Sequence, residues 1–257
     1  MLPKDTTDPE VTSPTEYELL PPSVPSEQQQ SLMGQEEHML KPEGRKGDHT
    51  AMCIVLASVS VLAIVTWVAL LANNPVGAGW FAFHPTLQTL ALALFTYGIL
   101  TLQPTSQPKT KTAGFRRHQA AIFFVGFPAI MLGTSAIAYN KWIHNRQHMT
   151  TWHGSFGYMS LTWILIQVCL GGGSVWFKGA AFGGGAKAKA LWKYHRLSGY
   201  ILFPTLMFTV YLGGYWSHWG NTVVPSGILR FATYIVAPLL AVIGVIARVR
   251  PSKMNFS

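Results

Sequence analysis

Four histidines stand at the first turn of four successive apolar segments, in Phe83-His84-Pro85, Arg116-Arg117-His118-Gln119, Trp152-His153-Gly154 and Lys193-Tyr194-His195-Arg196. A neutral imidazole in an apolar setting is a metal ligand, a proton carrier or a hydrogen-bonded core group. If the segments run antiparallel through a bilayer, His84 and His153 share one face and His118 and His195 the other. One such residue is easily a satisfied core histidine. Four of them, two per face at matched depth, form a constellation, because polar groups inside a bilayer are costly. No carboxylate or thiolate lies beside them, which argues against zinc or di-iron chemistry. Facing neutral imidazoles suit the two axial positions of a haem iron, and iron so filled transfers electrons rather than binding substrate. The chain has no Cys-x-x-Cys-His attachment motif, so the expectation is two non-covalent b-type haems.

The segments that must position these residues follow from composition. Of 257 residues, 49% are hydrophobic and 11% charged, against about 25% charged in ordinary soluble domains. Six apolar runs lie at about 51–72, 81–102, 118–139, 152–173, 193–214 and 228–247. Each is near the roughly 20 residues that cross a hydrocarbon core of about 30 Å. None alternates as a barrel strand does. Tryptophans gather at the run ends (Trp80, Trp142, Trp152, Trp176, Trp192, Trp216, Trp219) as an interfacial belt. The expected fold is an all-α integral membrane protein with six transmembrane helices, a four-helix haem-binding core from helices two to five, and a disordered N-terminal tail. A histidine pair about one turn inside each interface puts the pairs roughly 15–20 Å apart.

Charge divides the chain. All ten acidic residues fall in residues 1–48 beside four bases, leaving that tail at net −6, and the remainder has 15 bases and no acid. Those bases sit in short loops, so the positive charge marks topology and not a nucleic-acid surface. One face holds Arg45, Lys46, Lys109, Lys111, Arg116, Arg117, Lys178, Lys187, Lys189, Lys193, Arg248, Arg250 and Lys253, and the other Lys141, Arg146 and Arg230. Both termini are therefore expected in the cytosol. Residues 1–48 read as a disordered cytosolic tail, 49–250 as the six-helix domain and 251–257 as a short cytosolic C-terminal tail. Tyr17-Glu18-Leu19-Leu20 has the form of a Tyr-x-x-hydrophobic sorting signal, of a length that recurs by chance. No signal peptide is expected, since the first apolar run begins near residue 50. Cys53 and Cys169 lie inside apolar runs and read as buried free thiols acting as small hydrophobes. Gly171-Gly172-Gly173 reads as the end of helix four and Gly183-Gly184-Gly185 as a flexible loop.

Phe-His-Pro at helix two, the basic-flanked His118 at helix three, Trp-His-Gly at helix four and Tyr194-His195-x-x-Ser198-Gly199-Tyr200 at helix five resemble the four haem-ligand positions of the cytochrome b561 family. The resemblance covers roughly residues 50–250 and is to the stand-alone b561 domain. It implies six helices, haem coordination by helices two/four and three/five, and a homodimer. It further implies one-electron transfer from cytosolic ascorbate to monodehydroascorbate or a ferric chelate beyond the membrane. An endomembrane (vacuolar, endosomal or ER) or the plasma membrane would host such a protein. On the inner face Lys109, Lys111, Arg116, Arg117, Lys193 and Arg196 are candidates for binding the donor or haem propionates. On the outer face Lys141, His144, Arg146 and His148 form a cationic, proton-accepting patch suited to an anionic acceptor. Two rival readings remain: an electron-carrier subunit that needs a partner reductase, and a histidine-based proton-coupled transporter. The transporter is disfavoured because the membrane body has no Asp or Glu.

Overall fold

A backbone surrounded by hydrocarbon must satisfy its own hydrogen bonds, so apolar runs of this length become helices. The computed structural model describes residues 43–103 and 107–254. Among them every regular element is helical. Six long helices follow one another: α1 (Asp48–Ala72), α2 (Phe83–Thr101), α3 (Pro108–Ile143), α4 (Trp152–Gly173), α5 (Trp192–Gly214) and α6 (Gly227–Arg248). They fall on the six apolar runs, except that α3 starts at Pro108 rather than near 118. Its first turns carry Lys109, Lys111, Arg116 and Arg117 and are too polar to register as an apolar run. The Tyr17–Leu20 motif lies outside the described residues. Cys53 of α1 and Cys169 of α4, expected to be buried, are exposed on the outside of their helices.

Five stretches are long and apolar enough to cross a membrane, covering α1, α3, α4, α5 and α6. The 19-residue α2 is not among them. It carries His84, Gln88 and four threonines, and neighbouring helices satisfy this polarity. Trp67 Nε1 of α1 donates to Thr89 Oγ1 at 2.8 Å, and Gln88 Nε2 donates to Thr134 Oγ1 of α3 at 2.9 Å.

Close backbone packing runs in the order α3–α2–α1–α6–α5–α4. Most steps have their own side-chain hydrogen bond, a contact worth about 0.6 kcal/mol between membrane helices. Thr66 Oγ1 meets Tyr234 Oη at 3.0 Å between α1 and α6, and Trp163 Nε1 donates to Ser198 Oγ at 2.7 Å between α4 and α5. The α2–α3 pair faces the α4–α5 pair without comparable backbone packing. Across that divide the histidine rings meet.

Two π-helical segments interrupt the ladder, Ala120–Gly126 in α3 and Ala232–Val236 in α6. Each ends shortly before a proline, Pro128 or Pro238. Proline has no N–H and its ring crowds the carbonyl four residues back, so the widened turn relieves the conflict. The glycine run 183–185 is an ordered turn with φ of 79°, 69° and 48°, values that glycine adopts without steric cost.

Contacts sort the connections onto two faces. Phe81 packs on Trp219 at 5.7 Å and Trp80 on Tyr139 at 5.1 Å, which gathers one end of the bundle. At the opposite, basic end Asp48 is buried, although composition alone assigned it to the tail. It accepts from the Arg45 amide at 2.6 Å and lies 3.7 Å from both the Arg45 and the Arg250 guanidinium. Arg45 Nη2 also donates to the Ala247 carbonyl at 2.8 Å, Arg248 donates to the Gln103 carbonyl, and Arg250 to the Glu43 carbonyl. These arginines place positive charge at the C-terminal ends of α2 and α6, where helix dipoles favour it. Asp48→Asn removes the shared counter-charge. It is expected to cost about 2 kcal/mol, the scale of a hydrogen bond to a charged group, read as a lower unfolding temperature in detergent.

Candidate functional site

Each candidate ligand is placed by the start of its helix. Thr151 caps α4, its Oγ1 accepting from the Gly154 amide at 3.1 Å, and this fixes His153 in the first turn. His84 is likewise in the first turn of α2 and His195 in that of α5. His118 precedes the π segment of α3. The structure joins the four as the sequence pairs them. His84 and His153 have ring centroids 5.9 Å apart with planes at 79°, and His118 and His195 are 6.4 Å apart at 87°.

The outward side of three rings is held by backbone. His84 Nδ1–H donates to the Gly133 carbonyl at 3.2 Å, His118 Nδ1–H to that of Gly98 at 3.1 Å, and His153 Nδ1–H to that of Thr209 at 2.9 Å. A carbonyl only accepts, so Nδ1 carries the proton and Nε2 keeps its lone pair in each ring. Such a partner is what a metal-bound histidine uses to fix tautomer and orientation. His195 lies against the Gln167 backbone, with its Nδ1 outside hydrogen-bonding geometry. Among the described residues nothing hydrogen-bonds the Nε2 of any of the four.

These partners share a register. Gly98, Gln167 and Thr209 each stand 14 residues after the histidine of their own helix, His84, His153 and His195. Fourteen residues are close to four turns and a rise of about 21 Å, so one helix face presents a candidate ligand at one level and, at the other, backbone turned toward the partner helix's histidine. In α3 the step from His118 to Gly133 is 15. The π segment between them accommodates the additional residue. The two levels are thus about 21 Å apart, slightly more than the apolar runs alone indicate.

The residues fit haem. A nitrogen about 2 Å from a metal on each side, with ~1 Å from nitrogen to ring centre, separates two axial imidazole centroids by about 6 Å. Both observed separations match. Among the described residues no group of three His, Cys, Asp or Glu side chains is assembled to hold a metal ion. A metal held by either pair alone would need further ligands, and a porphyrin supplies four.

The sequence pattern of the family described as eukaryotic cytochrome b561 matches residues 83–220, which contain all four histidines. The chain belongs to the cytochrome b561 family. It is also 26% identical over 187 residues to the transmembrane reductase CYB561D2 of Bos taurus, covering 72% of this chain and 81% of that protein. To the transmembrane reductase CYB561D2 of Mus musculus it is 27% identical over 188 residues, with the same shares covered. As a b561 protein the chain is an integral membrane oxidoreductase that transfers electrons with b-type haem.

The charged candidates of this b561 domain are spread more loosely. Lys109 and Arg116 line one open depression with Pro108, Thr112 and Ala113 at the basic end of α3. Lys111 and Arg117 are exposed outside that lining. Lys193 lies over the Tyr194 ring at 5.3 Å, and Arg196 is close enough to act electrostatically on His195 and Tyr200. At the other end Lys141 acts on both His84 and His153 while donating to the Gln147 carbonyl at 3.1 Å. His144 donates to the Asn140 carbonyl at 2.7 Å, and His148 Nδ1 shares a 3.0 Å hydrogen bond with Tyr158 Oη. Arg146 is exposed in the same loop. Sequence reading missed Tyr158, Gly98 and the carbonyls at 167 and 209. The 14-residue recurrence was the signal available for the last three. Thr151→Ala deletes the cap that sets His153 and is expected to cost about 1 kcal/mol, measured by thermal unfolding beside the unaltered protein.

Proposed function

We propose that this protein carries single electrons across the membrane from cytosolic ascorbate to monodehydroascorbate or a ferric chelate on the other side. His118 and His195 would hold one b-type haem near the cytosolic face, and His84 and His153 a second near the opposite face, within six transmembrane helices. The observation that supports this most is the presence of two imidazole pairs at opposite ends of one bundle, each spaced for a bis-histidine metal centre. When bound, each haem would be held by the two imidazoles of its pair and would supply a one-electron carrier.

The chain's own groups do the rest. The Gly133, Gly98 and Thr209 carbonyls hold three ligand rings in the tautomer that presents Nε2. Lys109 and Arg116, on one face of the exposed start of α3, would attract an anionic donor. Lys141, His144, Arg146 and His148 would attract an anionic acceptor, with the His148–Tyr158 hydrogen bond placing an exchangeable proton there.

Two experiments test the assignment. His84→Ala/His153→Ala should retain one haem per chain, reducible by ascorbate, whereas His84→Ala/His118→Ala should retain none. One haem persisting in the second variant contradicts the pairing. For the acceptor side, His144→Ala/His148→Ala should raise the half-saturating concentration of ferric citrate or monodehydroascorbate several-fold without altering haem content. An unchanged half-saturation and rate rule out that docking patch.

A further inference from the structure

The helices that carry the histidines are paired reciprocally. His84 of α2 rests on Gly133 of α3, and His118 of α3 rests on Gly98 of α2. His153 of α4 rests on the Thr209 turn of α5, and His195 of α5 on the Gln167 turn of α4. One turn beyond each of the last two acceptors stands a glycine, Gly213 after Thr209 and Gly171 after Gln167. A Cβ on Gly213 would lie 2.6 Å from His153 Cε1 and 2.7 Å from its Nδ1. A Cβ on Gly171 would lie 2.8 Å from His195 Cε1. Nonbonded carbons do not approach so closely, so each ring uses the space that a side chain would fill.

We propose that Gly213 and Gly171 are positioning residues for the haem ligands, each forming a socket on the partner helix that sets the plane of one imidazole. This deepens the ligation proposed above and rests on it. The sockets differ in stiffness. The His153 ring is anchored to Thr209 at 2.9 Å and cannot turn from an added methyl without losing that bond. The His195 Nδ1 lies beside the Gln167 turn without a well-formed hydrogen bond, so that ring is held less firmly and yields more to an added methyl. Gly213→Ala should therefore disturb its site more than Gly171→Ala.

The electron paramagnetic resonance position of a low-spin bis-histidine haem reports the angle between its imidazole planes. Gly213→Ala is expected to shift or abolish only the signal that His84→Ala or His153→Ala removes, and Gly171→Ala to shift only the signal removed by His118→Ala or His195→Ala. The undisturbed haem in each variant shows that the bundle has assembled. Gly227→Ala, whose Cβ meets nothing within 4 Å, should move neither signal. In haem-free protein, Gly213→Ala should lower the unfolding temperature in the native background. It should not do so in a His153→Ala background, where the ring it would strike is gone. That second measurement decides the matter if Gly213→Ala fails to load haem at all. Unshifted signals in both glycine variants, with the histidine variants each still removing one haem, overturn the sockets and leave the ligation standing. Histidine variants that leave both haems in place overturn the ligation itself.

Discussion

The structure depends on one constraint: an imidazole that presents Nε2 in an apolar medium keeps its proton on Nδ1, and the neighbouring backbone is the acceptor at hand. Three of the four rings use it, His84 on Gly133, His118 on Gly98 and His153 on Thr209, while His195 Nδ1 lies beside the Gln167 turn without a hydrogen bond. The 14-residue register answers this requirement. It lets one helix carry a candidate ligand at one level of the bundle and backbone facing the other ring at the second level, with close to four whole turns between. Where a proline distorts the ladder of α3, the π segment absorbs the fifteenth residue and returns Gly133 to the face that His84 meets.

This economy explains the architecture around the site. Each half of the divide is a helix pair that already contains both levels, and α2–α3 meets α4–α5 through the histidine rings and a few further side chains, such as Gln103, which donates to Tyr200 Oη. α1 and α6 close the far side, joined by the Thr66–Tyr234 hydrogen bond and by the Val55 contact with Gly244, where a Cβ would approach to 2.3 Å. At the basic end, Asp48 and three arginines tie the start of α1, the α2–α3 connection and the end of α6 together. Charge there serves helix ends as well as topology.

Much of this was legible in the residues. Apolar runs of membrane length gave the helices, and strict alternation of direction paired His84 with His153 and His118 with His195, whose ring centroids lie 5.9 Å and 6.4 Å apart. The exceptions have physical causes. The polar extension of α3 was invisible because apolar runs mark only what hydrocarbon requires. α2 has less apolarity than a lone span because adjacent helices accept and donate to Gln88 and Thr89. Gly171 reads as a helix terminus from its Gly-Gly-Gly context, and only the packing of α5 shows a ring against it. Backbone acceptors such as the Thr209 carbonyl carry no residue signature at all. They emerge from spacing once the helix pairs are known.

The most direct test is the haem content and reduced-minus-oxidised absorption spectrum of the purified protein. The account predicts two b-type haems per polypeptide, low-spin and six-coordinate, with a reduced spectrum that carbon monoxide does not alter. A protein that purifies folded with one haem or none, or whose reduced haem binds carbon monoxide, would contradict it.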